Sequence, residues 1–107
     1  MIYANPGATG AKVQYKAHYD NFIGGKFVAP LKGQYFDVIT PITGQVYTKA
    51  ARSGAEDIEL ALDAAHKAAD AWGKTSPTER ANILLKIADR IEANLEMLAY
   101  AETVDNG

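Results

Sequence analysis

The clearest alternation of apolar and polar positions lies between Ser76 and Asn94, in the stretch SPTERANILLKIADRIEAN. Five apolar side chains recur there at spacings of three and four residues and so line one face of a helix: Ile83, Leu84, Ile87, Ala88 and Ile91. The charged side chains fall mainly on the other face: Lys86, Asp89, Arg90 and Glu92. Ser76 suits the N-cap, Pro77 the first helical position and Glu79 the capping box. The pattern predicts a half-buried structural helix that needs a partner.

A second apolar stripe predicts a helix from about Gly54 to Trp72. Its apolar positions are Ile58, Ala61, Leu62, Ala65, Ala69 and Trp72. Ser53 and Glu56 have the spacing of a capping box, and Gly73 suits the C-terminal cap. A third helix is predicted from Asn94, as its cap, to about Asp105, and its inward side chains are expected to be Leu95, Leu98 and Ala99.

The first half of the chain has the short, β-branched and aromatic runs of strands. Phe22-Ile23 and Lys26–Val28 flank Gly24-Gly25, which predicts a tight hairpin. A phosphate-binding loop is disfavoured at these glycines, because the fuller glycine spacing is missing and no helix follows directly. Residues 35–40 predict a further strand, and residues 45–51 a third extended segment returning alongside it. The fold class expected is α+β, with three short strands followed by three helices.

Residues 1–20 contain Pro6, Gly7 and Gly10 and no sustained hydrophobic period. They predict an extended N-terminal arm that is ordered only if another part of the protein holds it. The remaining residues, 21–107, are enough for one domain and not for two.

Composition narrows the classes of function. With 11 basic and 13 acidic residues the formal net charge is -2, so no electrostatic footprint for nucleic acid or an anionic membrane is present. The chain contains no cysteine, which excludes disulfides, thiolate metal sites and a cysteine nucleophile from these 107 residues. No secretory signal pattern and no stretch of transmembrane length is found, so a cytoplasmic location is expected.

Residues that could carry chemistry have simpler structural explanations. The acidic side chains Glu56, Asp57 and Glu59 are expected to interact favourably with the positive end of the helix dipole and to face water. His18 and His66 have no second histidine at a ligand spacing, so neither is assigned to a metal. Tyr35 and Tyr47 are expected to pack across strands rather than to stack on nucleic acid bases. The residue types and their spacing therefore predict no catalytic site.

Laid end to end, three segments resemble the N-terminal region of the NAD(P)-dependent aldehyde dehydrogenases. They are NFIGGKFV, YFDVITPITGQVYTKAARSGAEDIELALDAAHKAADAW and SPTERANILLKIADRIEANLEMLAYAETVDNG. The resemblance covers about Asn21 to Gly107, and the order and spacing of all pieces agree. The opening YANPGATGAKVQYKAHYDNFIGGKFVAP is similar to the bacterial subgroup that oxidises short aliphatic aldehydes such as acetaldehyde.

The resemblance implies that residues 21–107 are the N-terminal part of a cofactor-binding domain in an incomplete α/β fold. The family's nucleophilic cysteine, general-base glutamate, oxyanion asparagine and cofactor-phosphate lysine all lie beyond the matched stretch, so no catalytic or cofactor-binding residue is carried over. The resemblance implies that a complete member uses NAD or NADP. It also implies that this chain alone does not bind the cofactor tightly. Some members hold a monovalent cation partly through backbone oxygens that would fall on Val38 and Ile39; members usually have Asn where this chain has Thr40.

Three hypotheses follow. The first is an aldehyde dehydrogenase fragment, truncated at Gly107 and inactive alone, whose partner is the remainder of the fold or another copy. The second is a non-catalytic interaction module that docks on a full-length relative through apolar faces left uncovered. The third is a small independent α+β domain whose helices pack on its own three-stranded sheet.

Overall fold

The computed structural model describes residues 3–107, which form four strands and three helices. The strands are β1 (Asn21–Ile23), β2 (Lys26–Val28), β3 (Tyr35–Ile39) and β4 (Val46–Ala51), and the helices are α1 (Ala55–Gly73), α2 (Pro77–Ala93) and α3 (Leu95–Asn106). The α+β class, short strands followed by three helices, is confirmed. The strand count is four rather than three, because the Gly24-Gly25 hairpin contributes two strands by itself.

The strands form two separate antiparallel hairpins, β1-β2 and β3-β4. Gly24 and Gly25 both have positive φ, 62° and 84°, as the predicted tight turn requires. In β3-β4 the register shifts between Val38 and Ile39. The three-stranded sheet of the third hypothesis is not formed, because the described strands make two separate hairpins; independent folding of the chain stays a prediction.

The predicted start of α2 is confirmed. The Ser76 hydroxyl accepts a hydrogen bond from the Glu79 amide at 3.1 Å, and the Glu79 carboxylate accepts one from the Ser76 amide at 3.2 Å. These two bonds satisfy amides that a helix start would otherwise leave unpaired.

The start of α1 lies one residue later than predicted. Its N-cap is Gly54, and the reciprocal acid is Asp57, not Glu56. Ser53 instead accepts a hydrogen bond from the side-chain amide of Asn21 at 2.8 Å, which ties the helix start to β1. The predicted pair of Ser53 and Glu56 was therefore wrong, because a tertiary contact engages the serine.

Two predicted caps also differ in the structure. Gly73 is the last residue of α1 and is followed by Lys74 in a right-handed conformation, so no left-handed glycine cap forms there. Asn94 does stand at the start of α3, but its side chain donates to the Arg90 carbonyl at 2.9 Å rather than capping α3. Because α3 follows α2 directly, the asparagine serves the end of the earlier helix.

Only a small core is formed by the described residues. Val104 and Tyr100 of α3 are buried, and Thr40 at the end of β3 is 1% exposed. The Cα radius of gyration is 17.4 Å, against about 13 Å for a compact domain of this length. The accessible surface is 8242 Å², against roughly 5,800 Å² for a compact monomer of this size. Much apolar surface is therefore left uncovered. None of the helices among residues 3–107 is long and apolar enough to cross a membrane.

Candidate functional site

Helices α2 and α3 expose many apolar side chains. Leu84 is 66% exposed and Ile87 is 49% exposed, although both belong to the stripe predicted to be buried. Between the two helices runs a shallow groove of about 440 Å³. Its lining is mostly apolar and includes two basic side chains; it contains Ile83, Lys86, Ile87, Arg90, Ile91 and Leu98. We call this feature the α2-α3 groove.

The stripe of α1 is uncovered as well. Ile58 is 55% exposed, and Leu62 and Trp72 are also exposed. The predicted inward side chains of α3, Leu95 and Leu98, are exposed too. The helical periodicity was right, but within residues 3–107 little packs against these faces. Exposed apolar surface on this scale is typical of an interface.

Asp57 joins the start of α1 to the loop after β2. Its carboxylate accepts hydrogen bonds from the backbone amides of Gly54 and Leu31, each at 2.9 Å, and the residue is 4% exposed. These amides, Gly54 first, hold the pKa of Asp57 below its ordinary value, and nearby Lys32 adds to the effect. Asp57 was expected to face water; it is instead a buried link between two segments. The tertiary contact with Leu31 has no signal in the local pattern.

Arg80 holds the corner between α1 and α2. Its guanidinium donates to the Thr75 hydroxyl at 3.0 Å and to the carbonyls of Trp72 and Gly73 at 2.9 and 3.2 Å. It also lies 5.4 Å from the centre of the Trp72 ring. The arginine therefore satisfies carbonyls at the end of α1 that the predicted glycine cap does not reach.

The tyrosines of the second hairpin have aromatic partners outside it, in addition to the facing strand on which they were expected to pack. Tyr47 packs edge-on against Tyr15 with ring centroids 4.8 Å apart, and Tyr35 lies 4.5 Å from the ring of His18. Both partners come from the N-terminal arm, which lies across this hairpin. Burial, and then a hydrogen bond to Asp105 at 2.9 Å, raise the pKa of Tyr47 to about 12.

The two histidines lie in different parts of the chain, His18 in the N-terminal arm and His66 in α1. His18 lies 3.6 Å from Asp20, and His66 is exposed on α1. Among residues 3–107 no group of three or more His, Cys, Asp or Glu side chains could hold a metal ion. This finding concerns side-chain sites, and the backbone site at Val38 and Ile39 stays a prediction. Those two residues flank the register shift of β3, next to the buried Thr40.

A dinucleotide phosphate is commonly held by free amides at a helix start. The Asp57 and Glu79 carboxylates accept from the amides of the cap residues Gly54 and Ser76, and the Ser76 hydroxyl accepts from the Glu79 amide in the first turn of α2. Gly24 and Gly25 lie in a hairpin turn and precede a strand. The absence of tight NAD or NADP binding by this chain alone stays a prediction.

Comparison with known proteins identifies relatives across nearly the whole chain. The profile of the aldehyde dehydrogenase family matches residues 27–107. An aldehyde dehydrogenase of Deinococcus radiodurans is 70% identical over 105 residues, 98% of this chain and 20% of that protein. A long-chain-aldehyde dehydrogenase of Acinetobacter and an acetaldehyde dehydrogenase of Pseudomonas aeruginosa are each 64% identical over 107 residues, all of this chain and 21% of each protein.

The fold is similar to solved structures of the same class. The NAD+ complex of an aldehyde dehydrogenase from Bacillus cereus is matched with a TM-score of 0.79 and 36% identity, over 84% of this chain and 19% of that one. The chain thus spans about a fifth of the length of the relatives it matches. The resemblance inferred from the sequence is confirmed.

Proposed function

The chain belongs to the aldehyde dehydrogenase family, and from this premise we propose that it is the N-terminal part of an NAD(P)-dependent enzyme that oxidises short aliphatic aldehydes to carboxylic acids. One observation carries the proposal. The chain is matched from end to end by proteins about five times longer, while its own helices leave their apolar faces exposed. A piece of a larger fold has this property, because the absent part would cover those faces.

We expect the 107 residues to be catalytically inactive alone. The family reaction uses a cysteine thiolate as nucleophile, and this chain has no cysteine. NAD or NADP would accept the hydride in the complete protein. Residues 21–107 would supply part of the cofactor-binding domain, by forming the scaffold on which the rest of that domain packs.

The choice of a short aliphatic substrate has support from one relative, since the protein of Pseudomonas aeruginosa is an acetaldehyde dehydrogenase. The Acinetobacter relative, equally identical, is named for long-chain aldehydes. A complete protein carrying this segment is expected to have a higher kcat/KM for acetaldehyde than for decanal. A higher kcat/KM for decanal than for acetaldehyde would contradict the proposed short aliphatic substrate but not the family assignment.

The main test replaces the matched segment of the Pseudomonas aeruginosa enzyme by this chain. The chimera should form NADH from NAD+ and acetaldehyde, whereas the 107-residue chain and the enzyme lacking its matched segment should each form none. NADH is followed by absorbance, with mass spectrometry to exclude contaminating full-length enzyme. Turnover by the pure chain, or an inactive but folded chimera, would contradict the proposal.

A second candidate is a non-catalytic module that docks on a full-length relative, and the exposed α2-α3 groove favours it. Gel filtration of the chain with and without the complete relative separates the two. Co-elution with a complete enzyme, together with a stable cellular species near 11.5 kDa, would favour the module. A cytoplasmic location stays a prediction.

A further inference from the structure

Helix α1 has an uncovered apolar stripe that is acidic along one side. The stripe, which we call the α1 stripe, is made of five exposed side chains: Ile58, Leu62, Ala65, Ala69 and Trp72. With about 100° between successive residues of a helix, Glu59, Asp63 and Asp70 all lie to one side of this stripe. The other side contains Ala61 and Ala64, which are half-buried. The carboxylates therefore form a single row beside the apolar surface.

The α2-α3 groove has a matching row of positive charge. Lys86 and Arg90 both line the groove and lie to one side of the apolar row at positions 83, 87 and 91. They are four residues apart, as Glu59 and Asp63 are in α1. None of these four side chains forms an ion pair with another residue of the described range 3–107. Two unpaired charges of each sign thus stand at the same spacing beside two uncovered apolar surfaces.

The sides on which these charges lie determine the direction of an α1 helix in the groove. Seen down each helix from its start, the carboxylates lie clockwise of the α1 stripe, whereas the two cations lie anticlockwise of the apolar row of α2. Two helices that face each other bring a clockwise side against an anticlockwise side only when they run parallel, as in parallel coiled coils. Opposite charges would therefore meet if α1 ran parallel to α2.

The α1 helix of the same chain cannot reach its own groove in this direction. The connection from Gly73 to Pro77 extends over at most roughly 14 Å. A parallel arrangement would require the chain to travel back along the 19 residues of α1, a length of about 28 Å. The occupant must therefore come from another molecule, and a second copy of this chain has the required helix.

Contacts within the chain leave the groove uncovered. The N-terminal arm is bonded elsewhere, because the Tyr100 hydroxyl of α3 donates to the Ala4 carbonyl at 2.6 Å and the Tyr19 amide donates to the Lys49 carbonyl of β4 at 2.9 Å. The residues that line the groove belong to α2, to α3 and to Asn94 between them. The groove is therefore accessible to a helix from another molecule.

We propose that two copies of this chain associate by placing α1 of one copy in the α2-α3 groove of the other, parallel to α2, with the carboxylates at positions 59 and 63 facing the cations at positions 86 and 90. Each copy has both surfaces, so two copies can form the contact twice in a closed dimer. The accessible surface exceeds that of a compact monomer of this mass by roughly 2,400 Å². A stable complex buries about 800 Å² on each partner, so enough surface is available.

This association is a property of the 107-residue chain by itself. It does not depend on the proposed reaction, because in a complete enzyme the rest of the fold would cover both surfaces. An inactive chimera would therefore leave the association intact, and a monomeric chain would leave the proposed function intact.

Charge reversal followed by mixing tests the pairing. One variant carries Glu59→Lys and Asp63→Lys, and the other carries Lys86→Glu and Arg90→Glu. Each variant alone is expected to self-associate roughly ten-fold more weakly than the unmodified chain, because like charges then meet in the groove. An equimolar mixture should associate as tightly as the unmodified chain, since each variant then meets opposite charges on the other. Sedimentation velocity over a range of concentrations measures the association.

The matched controls reverse charges on the opposite faces of the same helices. Lys67→Glu in α1 and Asp89→Lys in α2 are exposed and lie away from the apolar rows, so they should leave association unchanged. Circular dichroism checks that every variant keeps the helicity of the unmodified chain. A mixture no tighter than its separate components, or reversal variants as tight as the controls, would overturn the proposal. An unmodified chain that lacks helical signal or stays monomeric would overturn it too, and a monomeric chain would leave the groove to another protein.

Carbodiimide crosslinking of an isotope mixture tests where the helix lies. The reagent joins an ammonium and a carboxylate in direct contact through an amide bond, with the loss of one water that converts the carbodiimide to a urea. In an equimolar mixture of unlabelled and isotope-labelled chains, Lys86 of one kind should be joined to Glu59 or Asp63 of the other, as measured by peptide mass spectrometry. Joining of Lys86 to Asp70 in equal yield, or crosslinked peptides of a single isotope only, would contradict the proposed arrangement.

Discussion

At the scale of single residues, Asp57 and Arg80 make tertiary hydrogen bonds that their positions in the sequence do not indicate. Both satisfy backbone groups that helix ends leave unpaired, Asp57 at the start of α1 and Arg80 at its end. Both also reach outside their own helix, Asp57 to Leu31 and Arg80 to the turn before α2. A single side chain thus couples a helix end to the segment beside it.

Replacing Asp57 by Ala is expected to release the loop at Leu31 and fray the start of α1. Hydrogen exchange at the Leu31 and Gly54 amides should rise roughly ten-fold at pH 7, because each amide loses its carboxylate acceptor. The measurement is amide exchange followed by NMR. The control is Glu56→Gln, in the same turn but exposed, which should leave both amides unchanged. Equal exchange in Asp57→Ala and the unmodified chain would rule out the link.

The same substitution changes the pH dependence of stability. Because the pKa of Asp57 is lowered in the folded chain, its contribution is complete above the unfolded value of about 3.9 and is lost as pH falls through the folded value. The difference in urea midpoint between the unmodified chain and Asp57→Ala should therefore be constant above about pH 5 and shrink at lower pH. A difference that grows on acidification would contradict the assignment.

At the scale of elements, the positions of the helices could be predicted from hydrophobic periodicity. The capping residues could be predicted only where no tertiary contact engages the capping side chain. Ser76 and Glu79 form the expected capping box because nothing else in the described chain engages them. Ser53 has the same local pattern but contacts Asn21. The partners of Tyr35 and Tyr47 were missed because they lie on the arm, more than 15 positions away in the sequence.

The two serines provide a matched pair of substitutions. Ser76→Ala should lower the stability of α2 by about 0.5–2 kcal/mol, the usual cost of losing an N-cap. Ser53→Ala should leave α1 helical, because Gly54 and Asp57 form its start. Circular dichroism during urea unfolding measures the first effect, and carbon chemical shifts of residues 54–58 the second. Loss of helical structure in α1 of the Ser53→Ala variant would instead support Ser53 as the N-cap, as the sequence predicted.

At the scale of the whole molecule, the large radius of gyration and the exposed apolar stripes both reflect incomplete burial of apolar surface. The apolar faces of α1 and α2 are well formed and exposed, and the radius of gyration exceeds that of a compact domain. The family match over a fifth of the relatives' length accounts for both. Under the proposed function, the rest of the complete enzyme would cover these faces.

Removing exposed apolar surface should reduce self-association of the isolated chain. Leu84→Glu is expected to weaken association roughly ten-fold or more, since burying a leucine contributes about 1.5–3 kcal/mol. Sedimentation velocity over a range of concentrations measures it. Thr78→Glu, exposed on the same helix, adds the same charge without removing apolar surface and should leave association unchanged. Equal effects of the two variants would assign the change to charge alone.

Much of this protein follows from the sequence alone: the three helices, the Gly24-Gly25 turn, the Ser76 cap and the family. These depend on hydrogen bonds and side-chain spacings within a few residues, or on the order of motifs along the chain. The burial of Asp57, the attachment of the arm to α3 and β4, and the exposure of Leu84 were decided only by the tertiary structure. Each depends on which distant segment lies alongside, and amphipathic periodicity indicates that a face needs covering without specifying what covers it.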